Sequence, residues 1–195
     1  MTAISPLEFI HKKGVFGDHH KKNENDLIQI SEVKALKIVQ LVQYKKSNTT
    51  VDSIELNNLK LPTGSGTVAS SQNTRILWSS PRTWIIMSNE ENIINEISKK
   101  CSDKDFAVTD ISHSRSVIQI KGDQAKEVLK KGIPINLNEF KKNNCAGTVF
   151  NGITITIDFI SEKPDIFNIL TLRSFGESFY HHITDSCLEY GYAGD

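Results

Sequence analysis

Residues 75–101 read RILWSSPRTWIIMSNEENIINEISKKC. Two runs rich in β-branched and aromatic residues, ILW and TWIIM, flank Ser79-Ser80-Pro81, which is the pattern of a β-hairpin. A helix follows. Ser88 and Glu91 stand at capping-box spacing, Ile93, Ile94, Ile97 and Cys101 mark one face, and Lys99 and Lys100 close the end where the helix dipole favours cations. The same order recurs further on. Runs at 148–150 and 153–160 flank Asn151-Gly152, the strongest short-range turn signal in the chain. Residues 166–172 add a strand, and Ser174 with Glu177 opens a helix running to about Tyr190. Helices that follow antiparallel strands, rather than alternating with them singly, predict an α+β fold: one domain of two split-βαβ (ferredoxin-like) halves.

Working outward, residues 27–30 form a short strand candidate and LKIVQLVQY at 36–44 a stronger one. Residues 48–72 are weakly patterned and read as a long connection containing Pro62, Gly64 and Gly66. Short strands are expected at 106–111 and 115–121. Between the second of these and the 148–160 hairpin lies a helix opened by Asp123, with Ala125, Val128 and Leu129 on its apolar face and Gly132 and Pro134 at its stop. Residues 1–26 are a polar leader with one apolar cluster, Leu7, Phe9 and Ile10, so they are expected as an extended arm docking through its apolar tip, with the α+β domain over 27–195.

Composition narrows the function classes. The 195 residues hold 23 basic and 23 acidic side chains, a net charge of zero, which argues against a dedicated nucleic-acid binder. Low self-repulsion fits association with protein partners. A chain of this length buries roughly 70% of its unfolded surface and needs no metal or disulfide to fold. The first ten residues lack the basic-then-apolar pattern of a secretory signal, and no stretch approaches the ~18 apolar residues of a membrane span. Cys101, Cys145 and Cys187 are odd in number and have no CxxC spacing; they read as buried thiols of a reducing compartment. A cytoplasmic protein is expected. Lysines outnumber the four arginines, Arg75, Arg82, Arg115 and Arg173, so each arginine is a candidate for a place that needs a planar cation.

Several groupings could carry chemistry. His181-His182 lie about 100° apart on a helix and cannot readily share an ion, so one packed and one solvated histidine is expected. Asp18-His19-His20 with His11 sits in a polar arm without ligand spacing, and Gly64-Ser65-Gly66 reads as a turn without a phosphate-loop lysine. Cys145 has no identifiable base. Asp110-Ile111-Ser112-His113-Ser114-Arg115 is the densest polar cluster. It reads first as a set of groups satisfying the backbone where the halves cross, then as a partner contact, and only last as a nucleophilic site, since no constrained elbow accompanies it. Trp78 and Trp84 around a tight turn, with Arg75 and Arg82 nearby, suggest cation–π stacking or an interface hot spot, with core packing expected for at least one of the two indoles.

Taken in order, Ser5-Pro6-Leu7, Leu77-Trp78 with Pro81 and Trp84, Asp110–Arg115 (D-[LI]-S-H-S-R), Lys131–Leu137 (K-G-x-P-[LI]-[DN]-L), Cys145-Ala146 and Arg173-Ser174-Phe175 resemble the gamma subunit family of bacterial heterotetrameric sarcosine oxidases over nearly the whole chain. Gly147 departs from the family pattern. The resemblance implies the fold of the folate-binding domain of aminomethyltransferases and an accessory, non-catalytic subunit with alpha, beta and delta partners. The complex it implies demethylates sarcosine oxidatively to glycine, with hydrogen peroxide and 5,10-methylenetetrahydrofolate formed. FAD, FMN, NAD, tetrahydrofolate and zinc would belong to other subunits, leaving no cofactor, catalytic residue or metal ligand here, and neither a nucleic acid nor a membrane as partner. Trp78, Arg82, Trp84, His113, Ser114, Arg115, Arg173 and Phe175 are then the signature or interface candidates. A stand-alone folate-binding or aminomethyltransferase-like protein is the alternative, and an RNA-binding module the weakest reading.

Overall fold

The computed structural model describes residues 4–194. Its strands, in chain order, are β1 Gly14–Phe16, β2 Ile28–Glu32, β3 Lys37–Gln43, β4 Glu55–Leu56, β5 Leu59–Lys60, β6 Val68–Ser70 and β7 Thr74–Ser80. They continue with β8 Thr83–Ser88, β9 Phe106–Asp110, β10 Arg115–Lys121, β11 Cys145–Phe150, β12 Ile153–Glu162, β13 Asp165–Leu172 and β14 Tyr192–Gly194. The helices are α1 Ile93–Lys100, α2 Ala125–Lys130 and α3 Gly176–Cys187. Contacts divide the chain into two compact units: one takes in residues up to Lys34, Ser114–Lys142 and Gly147 onward, the other Ala35–His113 with Asn143–Ala146. This division cuts across the arm and domain expected from composition.

The second unit is a five-stranded sheet of order β6-β7-β8-β3-β9. With β6 set aside, β3, β7, β8 and β9 carry the strand order of a split-βαβ half, including its α1 crossover into β9. Residues 44–73 make the other crossover without an α-helix, folding instead into the β4–β5 hairpin and β6. Alternation aims Val39, Leu41, Ile76, Trp84 and Ile86 at one face, where Ile93 and Ile97 of α1 meet them. Ile54, Leu56 and Leu61 from the crossover complete this core. The weak patterning of 48–72 thus concealed packing residues.

The first unit is a seven-stranded sheet of order β1-β14-β2-β10-β13-β12-β11. β10, α2, β12, β13, α3 and β14 repeat the split-βαβ plan, but β2 is inserted between β10, to which it is antiparallel, and β14, to which it is parallel. Ile118, Ile120, Ile157, Ile169 and Phe167 face Val128 and Leu129 of α2 and Phe179 and Ile183 of α3. Phe159 and Phe167, direct cross-strand partners, stack with centroids 4.3 Å apart, a pair worth about 0.5–1.5 kcal/mol beyond its burial. Asn151 and Gly152 adopt φ of 47° and 86°, as the tight hairpin turn requires.

Three sequence expectations shift. The expected arm is partly sheet: β1 pairs with β14, and of the apolar trio Leu7 is buried whereas Phe9 is 86% exposed. The capping boxes do not form. Ser88 ends β8 and its hydroxyl meets Thr74 Oγ1 at 2.9 Å and the Glu90 N–H at 3.1 Å, while α1 starts behind Asn92. Ser174 lies in a 3-10 turn ahead of α3, and Gln124 rather than Asp123 occupies the N-cap of α2. In each case an adjoining strand or turn extends further than the helix signal allowed.

Candidate partner-docking surface

The β7–β8 hairpin turns at Pro81-Arg82, because β7 runs on to Ser80 through a register shift after Trp78. Arg82 takes the left-handed φ of 64° and is exposed, and its carbonyl accepts the Gln43 N–H at 2.8 Å. Trp78 and Trp84 are cross-strand partners, but they are not alike. Trp84 is 2% exposed and its Nε1 donates to the Pro62 carbonyl at 2.8 Å, so it is a core residue and cannot serve as a surface anchor. Trp78 is half-buried. Among the described residues, Lys126 lies over the Phe159 ring and Lys131 over the Tyr190 ring.

The Asp110–Arg115 block is held by its own polar groups. Ser112 donates to Asp110 Oδ1 through its hydroxyl at 2.5 Å and its N–H at 2.9 Å, and these two bonds hold the carboxyl below the usual range. The same hydroxyl accepts the Ile38 N–H at 2.9 Å, tying the turn to the start of β3. Because Ser112 is bonded directly to a carboxylate, with no imidazole between them, the Ser/His/Asp grouping lacks the geometry of a nucleophilic triad. His113 and Ser114 are exposed. Arg115 opens β10, and its Nη1 lies 3.3 Å from both the carbonyl and the hydroxyl of Ser114; burial pulls its pKa down.

Register brings two of the other candidates to Arg115. Its cross-strand partner is Leu172, the last residue of β13, followed directly by the turn Arg173–Phe175. The Arg173 guanidinium donates to the carbonyl of Ile4, and Gly176 passes close to Ser116 and Pro6. Ser5 is bonded through its hydroxyl to the Glu32 carboxylate and accepts the Leu7 N–H at 3.2 Å. One end of the seven-stranded sheet therefore gathers Arg115, Arg173 and Phe175 with residues sequence reasoning did not single out, Leu172 and Ile4. Leu172 is 41% exposed, Phe175 47% and Ile4 57%. Trp78, Arg82, Trp84 and His113 belong to the other unit.

The remaining groupings are structural in their contacts. His181 and His182 are both exposed, and His181 faces Glu177 at 3.9 Å; the expected packed histidine is absent because Tyr180 and Ile183, not His182, fill the buried side of α3. Gly66 turns with φ of 67° and its carbonyl accepts the Cys145 N–H at 2.8 Å. Cys145 is buried, with its sulfur 3.4 Å from the Trp78 carbonyl. Burial pushes the Cys101 thiol up to about 11 and the Cys187 thiol up to about 12. Among the described residues no group of three His, Cys, Asp or Glu side chains is placed to hold a metal ion, and no helix is long and apolar enough to cross a membrane.

The profile of the family described as "Sarcosine oxidase, gamma subunit family" matches residues 50–189. The chain belongs to that family. Among relatives of the gamma subunit family, sarcosine oxidase subunit gamma of Corynebacterium sp. (strain U-96) is 28% identical over 137 residues, 68% of this chain and 66% of the relative. Its counterpart in Corynebacterium sp. (strain P-1) is 29% identical over 134 residues, 67% and 65%. These alignments thus span just under two thirds of each relative's length. The fold is that of a chain in the heterotetrameric sarcosine oxidase from Corynebacterium sp. U-96 solved with pyrrole 2-carboxylate: TM-score 0.80, 22% identity, 96% of this chain and 95% of that one. The glycine cleavage system aminomethyltransferase T from Bartonella henselae aligns at TM-score 0.63 and 14% identity over 88% of this chain and 49% of its own. The aminomethyltransferase-like α+β fold expected from the resemblance is the fold observed.

Proposed function

We infer that this chain is the accessory, non-catalytic gamma subunit of a heterotetrameric sarcosine oxidase. The complex demethylates sarcosine oxidatively to glycine, forming hydrogen peroxide and 5,10-methylenetetrahydrofolate. Alpha, beta and delta chains are its partners in the cytoplasm, and they carry the FAD, FMN, NAD, tetrahydrofolate and zinc. The observation that carries the reading is family membership over residues 50–189 joined to a fold match along nearly the full length of a chain from such a heterotetramer. The local chemistry agrees with it: Ser112 spends its hydroxyl on Asp110, and the Cys101 and Cys187 thiols are held protonated by burial.

Native purification by a tag on this chain tests the reading. Larger chains with flavin absorbance should co-purify and oxidise sarcosine, and the isolated chain should not. Recovery of the chain alone from cells that express all four polypeptides overturns it. Tight tetrahydrofolate binding by the isolated chain in calorimetry would favour the folate-binding alternative, which the aminomethyltransferase-like fold makes worth measuring.

A further inference from the structure

The corner where β10 begins and β13 ends combines two features that do not stabilise one another within the chain. Arg115 and Arg173 point their guanidinium groups at neutral partners only, Ser114 for the first and the Ile4 carbonyl for the second. Among the described residues neither forms an ion pair. The acids nearby in the fold are otherwise engaged: Glu32 with Ser5 and Lys34, Glu8 with Lys34 and Glu177 with His181. A guanidinium has five N–H donors, and those of Arg115 are met by two contacts of 3.3 Å in a half-buried setting. Partial desolvation without a countercharge is unfavourable, and supplying a carboxylate relieves it. Leu172 is the cross-strand partner of Arg115, the Ile4 carbonyl accepts from Arg173, and Phe175 closes the turn that Arg173 opens; the side chains of these three apolar residues are left 41–57% exposed. A small anion would pair with the arginines but leave those side chains in water, whereas a polypeptide covers both.

We propose that this corner receives an acidic segment of a larger partner polypeptide, with Arg115 and Arg173 paired to its carboxylates and Leu172, Phe175 and Ile4 covered by its apolar side chains. The proposal rests on the subunit reading above and adds the surface and the partner's chemistry to it. The other proposed candidates of the first unit fall into place: Ser114 holds the Arg115 guanidinium, and the Arg173–Ile4 bond fixes the N-terminal segment at the rim.

Arginine footprinting of the wild-type complex with phenylglyoxal, read by peptide mass spectrometry, tests it. Relative to the free full-length chain, Arg115 and Arg173 should react at least roughly tenfold more slowly in the complex, as expected of a water-excluded contact. Arg173→Glu should weaken assembly roughly 30-fold or more, the lower end of the effect of removing one partner of a buried charge pair, while Arg173→Lys retains part of it. If the complex assembles and both arginines react at free-chain rates, the proposal falls and the subunit reading stands. If no complex assembles, both fall. Protection of the free chain by its own dimerisation, or by inorganic phosphate alone, assigns the corner to a second copy or to a small anion and equally overturns the proposal.

Discussion

The indole N–H of Trp84 donates to the carbonyl oxygen of Pro62 at 2.8 Å, so the β7–β8 hairpin is pinned to the crossover that passes over its sheet. Without that bond the Pro62 carbonyl would be left half-buried and unsatisfied, which costs about 1–3 kcal/mol. Trp84→Phe keeps an aromatic ring in the core but removes the donor. Its unfolding in urea should show a stability loss of about that size, with assembly unchanged in the fraction that is folded. A loss of assembly at unchanged stability would mean that Trp84 meets the partner after all.

Gly132 packs directly against Phe150. A Cβ built on Gly132 would lie 2.9 Å from two carbons of the Phe150 ring and 2.9 Å from Asn151 Oδ1, closer than such atoms approach. Gly132→Ala should therefore destabilise the first unit by about 1–3 kcal/mol, the usual penalty of overpacking. Phe150→Leu in the same chain should recover part of that loss, a coupling that a double-mutant cycle measures directly. Additive single effects would place the strain elsewhere.

Ser116 sits on β10 with its hydroxyl buried beside Gly176 and, among the described residues, without a hydrogen-bond partner. A buried unsatisfied hydroxyl is destabilising, so removing it should do no harm. Ser116→Ala should be neutral or stabilising by up to about 1 kcal/mol in thermal or denaturant unfolding. A clear destabilisation would reveal a partner for this hydroxyl.

What the sequence disclosed depended on how local the cause was. β10 reads out residue for residue because RSVIQIK alternates, and the turn at Asn151-Gly152 declares itself because few residues accept positive φ. β14 was invisible: YAG carries no period, and the strands it pairs with, β1 and β2, are far away in the chain. The insertion of β2 into the split-βαβ order is equally nonlocal. Gly132 read as a helix stop from turn chemistry, whereas its structural reason is clearance from a side chain 18 positions away. For the candidate site, the residue types were legible and the grouping was not. Nothing local joins Arg115 to Leu172, which meet through strand register, or Arg173 to Ile4, which meet through one guanidinium bond. The sequence pattern predicts core packing for at least one of the two indoles but does not say which, because an indole beside a turn looks the same whichever face it takes; it is Trp84 that is buried.

The thiols offer a chemical check on burial. Thiolate is the reactive form, and at pH 8 only about one Cys101 in a thousand is ionised, three units below its pKa of about 11. Cys187, pushed up to about 12, is ionised about tenfold less again. Iodoacetamide at pH 8 should leave both unmodified in the native chain and alkylate both in guanidinium. Rapid native labelling of Cys187 would show that α3 opens in solution.

Acid should loosen the Asp110–Arg115 block in a defined direction. The hydroxyl and N–H of Ser112, more than the charges of His113 and Lys37, hold the Asp110 carboxyl below its ordinary value near 3.9. A carboxyl whose folded pKa is depressed adds stability that is fully present above its unfolded pKa and is lost as pH falls through the lower folded value. The advantage of wild type over Asp110→Asn should therefore be flat above about pH 5 and shrink progressively below about pH 4. Because hydrogen bonds dominate, added salt should change that advantage little, whereas a mainly Coulombic origin would make it fall with ionic strength. Thermal unfolding of both chains across pH 3–7, at low and high salt, separates the two. Parallel curves at all pH values would mean that Ser112 closes the turn without help from the charge.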